Sequence, residues 1–229
     1  FGGAGGETLA ARLDLPDTGE PRAYALFAHC FTCSKDIHAA RRVSQALAAE
    51  GFGVLRFDFT GLGSSDGDFA KTHFSSNVAD LLAAARFMRE TGRPLSLLVG
   101  HSLGGAAVVA AAGDLDEVKG VATIGAPADV AHVLHNFEAD LPRIEADGVA
   151  QVTLGGRPFT IRRDFVEDAR QQALTDRAAK LRRALLVLHS PMDATVGVEN
   201  ARALFEAAKH PKSFVSLDGA SHLLDDPAD

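Results

Sequence analysis

Four short stretches hold the residues best able to do chemistry: Gly100-His-Ser-Leu-Gly104, His189-Ser-Pro-Met-Asp193, Gly219-Ala-Ser-His222 and His29-Cys-Phe-Thr-Cys33. The first follows the apolar run Leu95 to Val99 and opens a run of small residues, Leu103 to Ala112. G-x-S-x-G between a strand and a helix is the pattern of a nucleophilic serine on a sharp turn. Gly100 and Gly104 remove side chains that would collide there. Gly105, Ala106 and Ala107 let the helix pack close beneath. The helix N-terminus turns partial positive charge towards an anion forming at Ser102. The plainer reading is a chance glycine-rich turn, which leaves the flanking strand and helix without a purpose.

A serine hydroxyl needs a base, and the base needs an acid to orient it. Asp193 follows the strand-like Ala184 to His189, and His222 follows Ser213 to Leu217. The chain order nucleophile, acid, histidine is the one this strand–turn–helix pattern takes. We therefore expect Ser102 as nucleophile, Asp193 as acid and His222 as base. Taken singly, Asp193 is also a turn residue and His222 a surface histidine; their joint order and placement favour chemistry. His101 is expected to point away from the serine and pack, and His189 to be buried and hydrogen-bonded. His29, His38, His73, His132, His135 and His210 have no placement that suits a base. Glu199 and Asp218 are weaker acids: Glu199 begins a helix and Asp218 lies too near its strand.

The stretch from His29 to Cys33 admits three readings. C-x-x-C after a strand suits a thiol redox site, and it is also half of a zinc site. Zinc lacks its other ligands here, so no metal and no cofactor is expected. The third reading is an oxyanion loop. Such a hole takes one backbone N–H from the residue after the nucleophile, Leu103, and one from the loop after an early strand. Phe31 is the first choice for the second donor and Cys30 the next. The cysteines then behave as small buried apolar residues. The redox pair stays as the alternative, and its oxidation would distort the hole. The loop Asp58 to Gly67 lacks the Gly-Lys-Ser/Thr of a phosphate cradle, and Asp58 is expected to be a structural acceptor.

Positioning these groups requires short apolar runs alternating with amphipathic ones, the signature of an α/β fold with a mostly parallel sheet and helices on both faces. Strands are expected at Tyr24 to Ala28, Gly53 to Phe59, Leu95 to Val99, Val118 to Ile124, Ala184 to His189 and Ser213 to Leu217, with an edge strand in Thr8 to Leu15. Helices are expected at Ile37 to Glu50, Phe74 to Met88, Leu103 to Ala112 and Val198 to Lys209. Between them lies an insertion about 128–180. It has helices at Asp129 to Asp147 and Asp164 to Lys180, and a hairpin signal at Gly155-Gly156. Its Val133, Leu134, Phe137, Leu141, Ile144, Phe159 and Phe165 form either the core of a small cap or an acyl pocket.

The chain's 229 residues and 46% apolar content suit one domain with a full core. A net charge of -7 argues against nucleic acid and anionic membrane as partners. No apolar run reaches membrane-spanning length. Two cysteines make no disulfide framework, so a reducing cytoplasm is the expected location. The start at Phe1 has no signal-peptide pattern, and the end at Asp229 leaves no covering helix after the last strand. Both suggest a piece of a longer protein.

The segments "LFAHCFTCSKD", "VLRFDFTGLGSSDGDF", "GHSLGGAAVVAAAG", "ATIGAPAD" and "KSFVSLDGASHLL" resemble the α/β-hydrolase superfamily over essentially the whole chain. They further resemble the N-terminal half of bacterial two-part proteins in which such a hydrolase precedes an OsmC-type domain. Many relatives carry His-Gly where this chain has His29-Cys30. The resemblance implies a hydrolase domain over 1–229, with its core at 1–127 and 181–229, and an OsmC-like partner domain absent from this chain. It implies the same Ser102, Asp193 and His222 roles, acting on small ester or thioester substrates. The expected function is a serine carboxylesterase for short to medium acyl chains. Alternatives are an acyl thioesterase, a Cys30/Cys33 thiol redox module and a noncatalytic scaffold. The oligomeric state is open, a homo-oligomer included.

Overall fold

The computed structural model describes residues 1–226. Its main sheet is built from β1 (Ala11–Asp14), β2 (Ala23–Ala28), β3 (Phe52–Phe57), β4 (Leu95–His101), β5 (Gly120–Ile124), β8 (Ala184–His189) and β9 (Lys212–Ser216). The order is β1-β3-β2-β4-β5-β8-β9, with β1 antiparallel to β3 at the edge and every other pair parallel. The inner strands are near-continuous apolar runs because both of their faces are covered. Parallel pairing brings their C-terminal ends to one edge. Ala28 lies beside Gly100, His101 beside Ile124, Ile124 beside Leu188, and His189 beside Ser216. The loops that follow these strands therefore share one rim.

Helix α1 (His38–Ala49) packs on one face, over Ala25, Phe27, Val54 and Val99. An apolar groove of about 630 Å³ lies beside it, between Val43, Leu47, Leu97, Leu186 and Leu188. The other face carries α2 (Phe74–Glu90), α3 (Leu103–Ala111) and α7 (Glu199–Ala207). Every residue of α3 is buried, as an all-round apolar helix requires. The α2 N-terminus has a reciprocal cap: the His73 ring accepts from the Ser76 N–H, and Ser76 Oγ accepts from the His73 N–H.

The segment between β5 and β8 differs in detail from the sequence expectation. Asp129 to Asp147 is not one α-helix. A 3₁₀ stretch, Val130–Asp140, is interrupted at Phe137, and α4 (Leu141–Asp147) follows with Pro142 in its first turn, where a missing N–H is tolerated. Asp164 to Lys180 likewise divides into α5 (Arg163–Arg170) and α6 (Leu174–Lys180). At about 100° per residue, one straight helix would put Leu174 and Ala178 opposite Phe165 and Ala169. All four are buried, so the chain must break between them. The hairpin β6 (Val149–Leu154) and β7 (Arg157–Arg162) turns through Gly155 and Gly156, whose φ values of 55° and 75° fit a two-residue turn with positive φ.

Among the contacts that fasten this segment to the sheet core are a hydrogen-bonded pair and an aromatic cluster. Ser75, at the start of α2, donates its N–H and hydroxyl to Asp168 of α5 at 2.9 and 2.5 Å. The Phe31 ring lies 5.5 Å from Phe165 and 5.9 Å from Phe69, which packs in turn on Phe159 of the hairpin. No helix among the described residues is long and apolar enough to cross a membrane.

Candidate active site

Ser102 sits between β4 and α3 with φ 54° and ψ -125°, a backbone state that non-glycine residues rarely adopt. The glycines around it explain how the turn closes. A Cβ on Gly100 would lie 2.3 Å from Gly104 O, and one on Gly104 would lie 2.3 Å from Ala28 O and 2.4 Å from His29 O. The helix start is thus pressed directly against the end of β2.

The three groups expected from sequence converge. Ser102 Oγ is 3.0 Å from His222 Nε2, and His222 Nδ1 is 2.7 Å from Asp193 Oδ2. With Nδ1–H donated to the carboxylate, Nε2 accepts a hydrogen bond from the serine hydroxyl. Asp193 is fixed by its other oxygen, which accepts from Thr195 N and Val196 N at 2.9 and 2.8 Å. Burial alone would raise its pKa. The donors on His222, Val196 and Thr195 outweigh burial and hold the carboxyl below its ordinary range.

Several neighbours carry the arrangement without having been assigned a part in it. Gly125, with φ 55°, lies against the pair: its missing Cβ would stand 3.2 Å from Asp193 Oδ2 and 3.5 Å from His222 Nδ1. His101 does more than pack. Its ring N–H donates to His222 O at 2.7 Å and so tethers the loop that carries His222. Burial, with His222 nearby, lowers its pKa to about 4, which keeps it neutral. His189 is buried and bonds Val196 O through Nε2 at 2.7 Å, bracing the Asp193 loop. Glu199 opens α7 as expected, and Asp218 accepts from Ser216 Oγ.

Across the cavity, Cys30 and Cys33 are joined in a disulfide. This corrects the expectation that the cysteines act merely as small apolar residues. The cause is local: Cys33 N–H donates to Cys30 O at 3.2 Å, and the tight turn brings the two Cα atoms to 5.3 Å, within disulfide range. The same Cys30 carbonyl accepts from His29 Nδ1 at 2.8 Å. His29 is buried, and burial lowers its pKa to about 4; its Nε2 accepts from Phe59 N. A trans peptide sets C=O and the next N–H in opposite directions. Gripping Cys30 O from one side therefore turns the Phe31 N–H to the other. That N–H has no acceptor among the described residues, and Leu103, first in its helix, has no intrahelical one. Thr32, at the apex, has φ 58°. Beyond the loop, Asp58 accepts from Lys35 N, Lys35 Nζ and Ser64 N, the structural role expected of it.

Ser102, His222, Cys30, Phe31 and Cys33 line one cavity of about 720 Å³. Of the seven apolar insertion residues named from sequence, none lines it. Val133, Leu134, Phe137, Ile144 and Phe165 are buried in the main core, and Leu141 and Phe159 pack against it. These side chains thus form neither an acyl pocket nor a separate core: they share one core with the sheet and its helices.

A family model described as the α/β hydrolase family matches residues 25–229. The chain belongs to the α/β hydrolase family. This hydrolase resembles a crystal structure of the esterase domain of a Rhodothermus marinus protein, with 53% identity and a TM-score of 0.79 over 99% of this chain and 89% of that one. Est1E from Butyrivibrio proteoclasticus, solved with ferulic acid, shares the fold at 23% identity and a TM-score of 0.80, over 97% of this chain and 90% of that one. Mouse α/β hydrolase domain-containing protein 10 shares it at 21% identity and a TM-score of 0.77, over 97% and 89%. Among curated proteins none matches.

Proposed function

We propose that this hydrolase is a serine carboxylesterase acting on small esters with short to medium acyl chains. The observation that carries the reading is the line of contacts from Ser102 Oγ to His222 at 3.0 Å and from His222 to Asp193 at 2.7 Å, at the floor of an open cavity. Ser102 attacks the ester carbonyl as His222 Nε2 takes its proton. The carbonyl oxygen becomes an oxyanion and accepts from Phe31 N–H and Leu103 N–H; the Cys30 N–H is the lesser candidate. The imidazolium, steadied by Asp193, protonates the departing alcohol. Water then enters, loses its proton to His222 and releases the acid from Ser102.

The esterase domain named for the Rhodothermus marinus structure supports esters as the substrate class. On the sequence resemblance to two-part proteins alone we also propose a fused OsmC-like partner, and on the sequence pattern a cap spanning about 128–180 with core segments at 1–127 and 181–229. The length of the natural gene product checks the fusion.

The deciding experiment is a p-nitrophenyl ester chain-length series with an acyl-thioester control, on wild type and Ser102→Ala, alongside fluorophosphonate labelling. Turnover peaking at short to medium chains and falling about 10⁴-fold or more in the variant supports the esterase. A stronger thioester rate favours the thioesterase. Turnover retained in Ser102→Ala, or no labelling of wild type, removes the serine mechanism.

A further inference from the structure

The cavity that holds Ser102 is lined towards the hairpin by polar groups: Asn136, Thr153, Thr195 and Arg157. Apart from His222, Arg157 is the only lining residue with an ionisable head group free of the disulfide. In a chain of net charge -7 this local positive charge calls for a reason. Many of the protein's arginines already face carboxylates: Arg56 meets Asp14, Arg89 meets Glu117, Arg143 meets Asp140 and Arg170 meets Glu145. Arg157 has no carboxylate within ion-pair distance among the described residues. It is the first residue of β7, directly after the hairpin turn. Its guanidinium is held in place from two sides. One Nη2–H donates to the Thr32 carbonyl, and Cζ stands 5.2 Å from the centre of the Phe159 ring. Holding Thr32 takes one of five N–H donors, and the planar fork keeps the others in the geometry that suits a carboxylate.

We propose that Arg157 recognises a carboxylate carried by the substrate, so that the preferred ester is anionic, with its charge placed away from the scissile carbonyl. This rests on the serine esterase reading and names its substrate class. A guanidinium already oriented by Thr32 and Phe159 binds that carboxylate with little further ordering. The neutral hydroxyl and amide groups of Thr153, Thr195 and Asn136 suit a polar chain between the charge and the ester.

Two matched pairs test this: monomethyl adipate against methyl hexanoate for charge on the acyl side, and 4-acetoxybenzoate against 4-methylphenyl acetate for charge on the leaving side. Wild type should favour the anionic member of at least one pair in kcat/KM. In Arg157→Gln that preference should fall about tenfold, carried by KM for the anionic ester, and Arg157→Lys should recover part of it. Rising salt should erode the preference in wild type and not in Arg157→Gln. No wild-type preference for the anionic member in either pair overturns the proposal. So does an equal loss on both members in Arg157→Gln, which would make Arg157 only a pin between hairpin and loop. Fluorophosphonate labelling separates the two levels: a labelled Ser102 without charge preference removes the carboxylate site alone, whereas an unlabelled Ser102 removes the esterase reading and this proposal with it.

Discussion

At Ser102 the backbone is held in place by the absence of side chains, whereas across the cavity, at His29 to Cys33, it is held by their presence. The elbow closes because Gly100 and Gly104 let main chain touch main chain, within 2.3 Å of where a Cβ would stand. The facing loop is gripped instead by a buried imidazole and a disulfide. On the proposed mechanism both devices serve one end, a fixed direction for a reacting oxygen or a donating N–H. Close packing of glycine is short-ranged and intolerant. Side-chain clamps are built from separate parts, each of which can be removed in turn.

The comparison breaks most sharply at Gly104. Gly104→Ala drives a methyl group into two carbonyl oxygens of the β2 end. We expect soluble yield to collapse or turnover to drop by about 10³-fold, several kcal/mol of strain that packed backbone cannot relax. A soluble variant with near-native turnover would show that the elbow yields more than its spacing implies.

His29→Ala tests the other device. It frees Cys30 O on one side and loosens the Phe31 N–H. Turnover should fall about 10²-fold, mostly in kcat, the usual scale for one oxyanion donor. Equilibrium unfolding across pH reads the same residue. His29 and His101 have pKa values lowered from 6.5 to about 4. Between those values the unfolded chain binds the proton and the folded chain refuses it. Stability is therefore full above about pH 6.5 and is lost as pH falls towards 4, by about 3 kcal/mol per histidine. His29→Ala should remove about half of that slope; an unchanged slope would mean that the ring takes up its proton in the folded state.

Reducing the Cys30–Cys33 bond leaves His29 in place and removes one clamp of several. We expect a fall in kcat of about tenfold or less with dithiothreitol, matched by Cys33→Ser. A larger fall than in His29→Ala would make the disulfide the main support. The smallest effect is expected away from both regions: Ser75→Ala loses its hydroxyl bond to Asp168 but keeps the backbone one, at a cost of about 1 kcal/mol in unfolding and little in turnover.

The same contrast explains what was legible in the sequence. Strands, elbow and chain order could be read because apolar runs and G-x-S-x-G are local patterns. Ser102, His222 and Asp193 then follow from the shared C-terminal rim of a parallel sheet. The clamps could not be read so. Nothing local says that His29 turns its ring onto Cys30 O, that His101 reaches a carbonyl 121 residues away, or that Gly125 makes room for Asp193 and His222. The disulfide was visible as a spacing, yet whether the pair closes depends on the turn between its members. The breaks inside 129–147 and 164–180 were present as shifts of apolar phase, but helical spacing over short windows bridges them.

Phe31 belongs to both sides of the cavity wall. Its main-chain N–H is the proposed oxyanion donor, while its ring is one member of an aromatic cluster with Phe69 and Phe165. On the proposed mechanism substrate range and rate are consequently coupled: reshaping the segment between β5 and β8 to admit bulkier esters tugs on structure that ends at the proposed donor. Evolution or engineering that widens the entrance must re-aim that amide in the same step, or accept a slower catalyst.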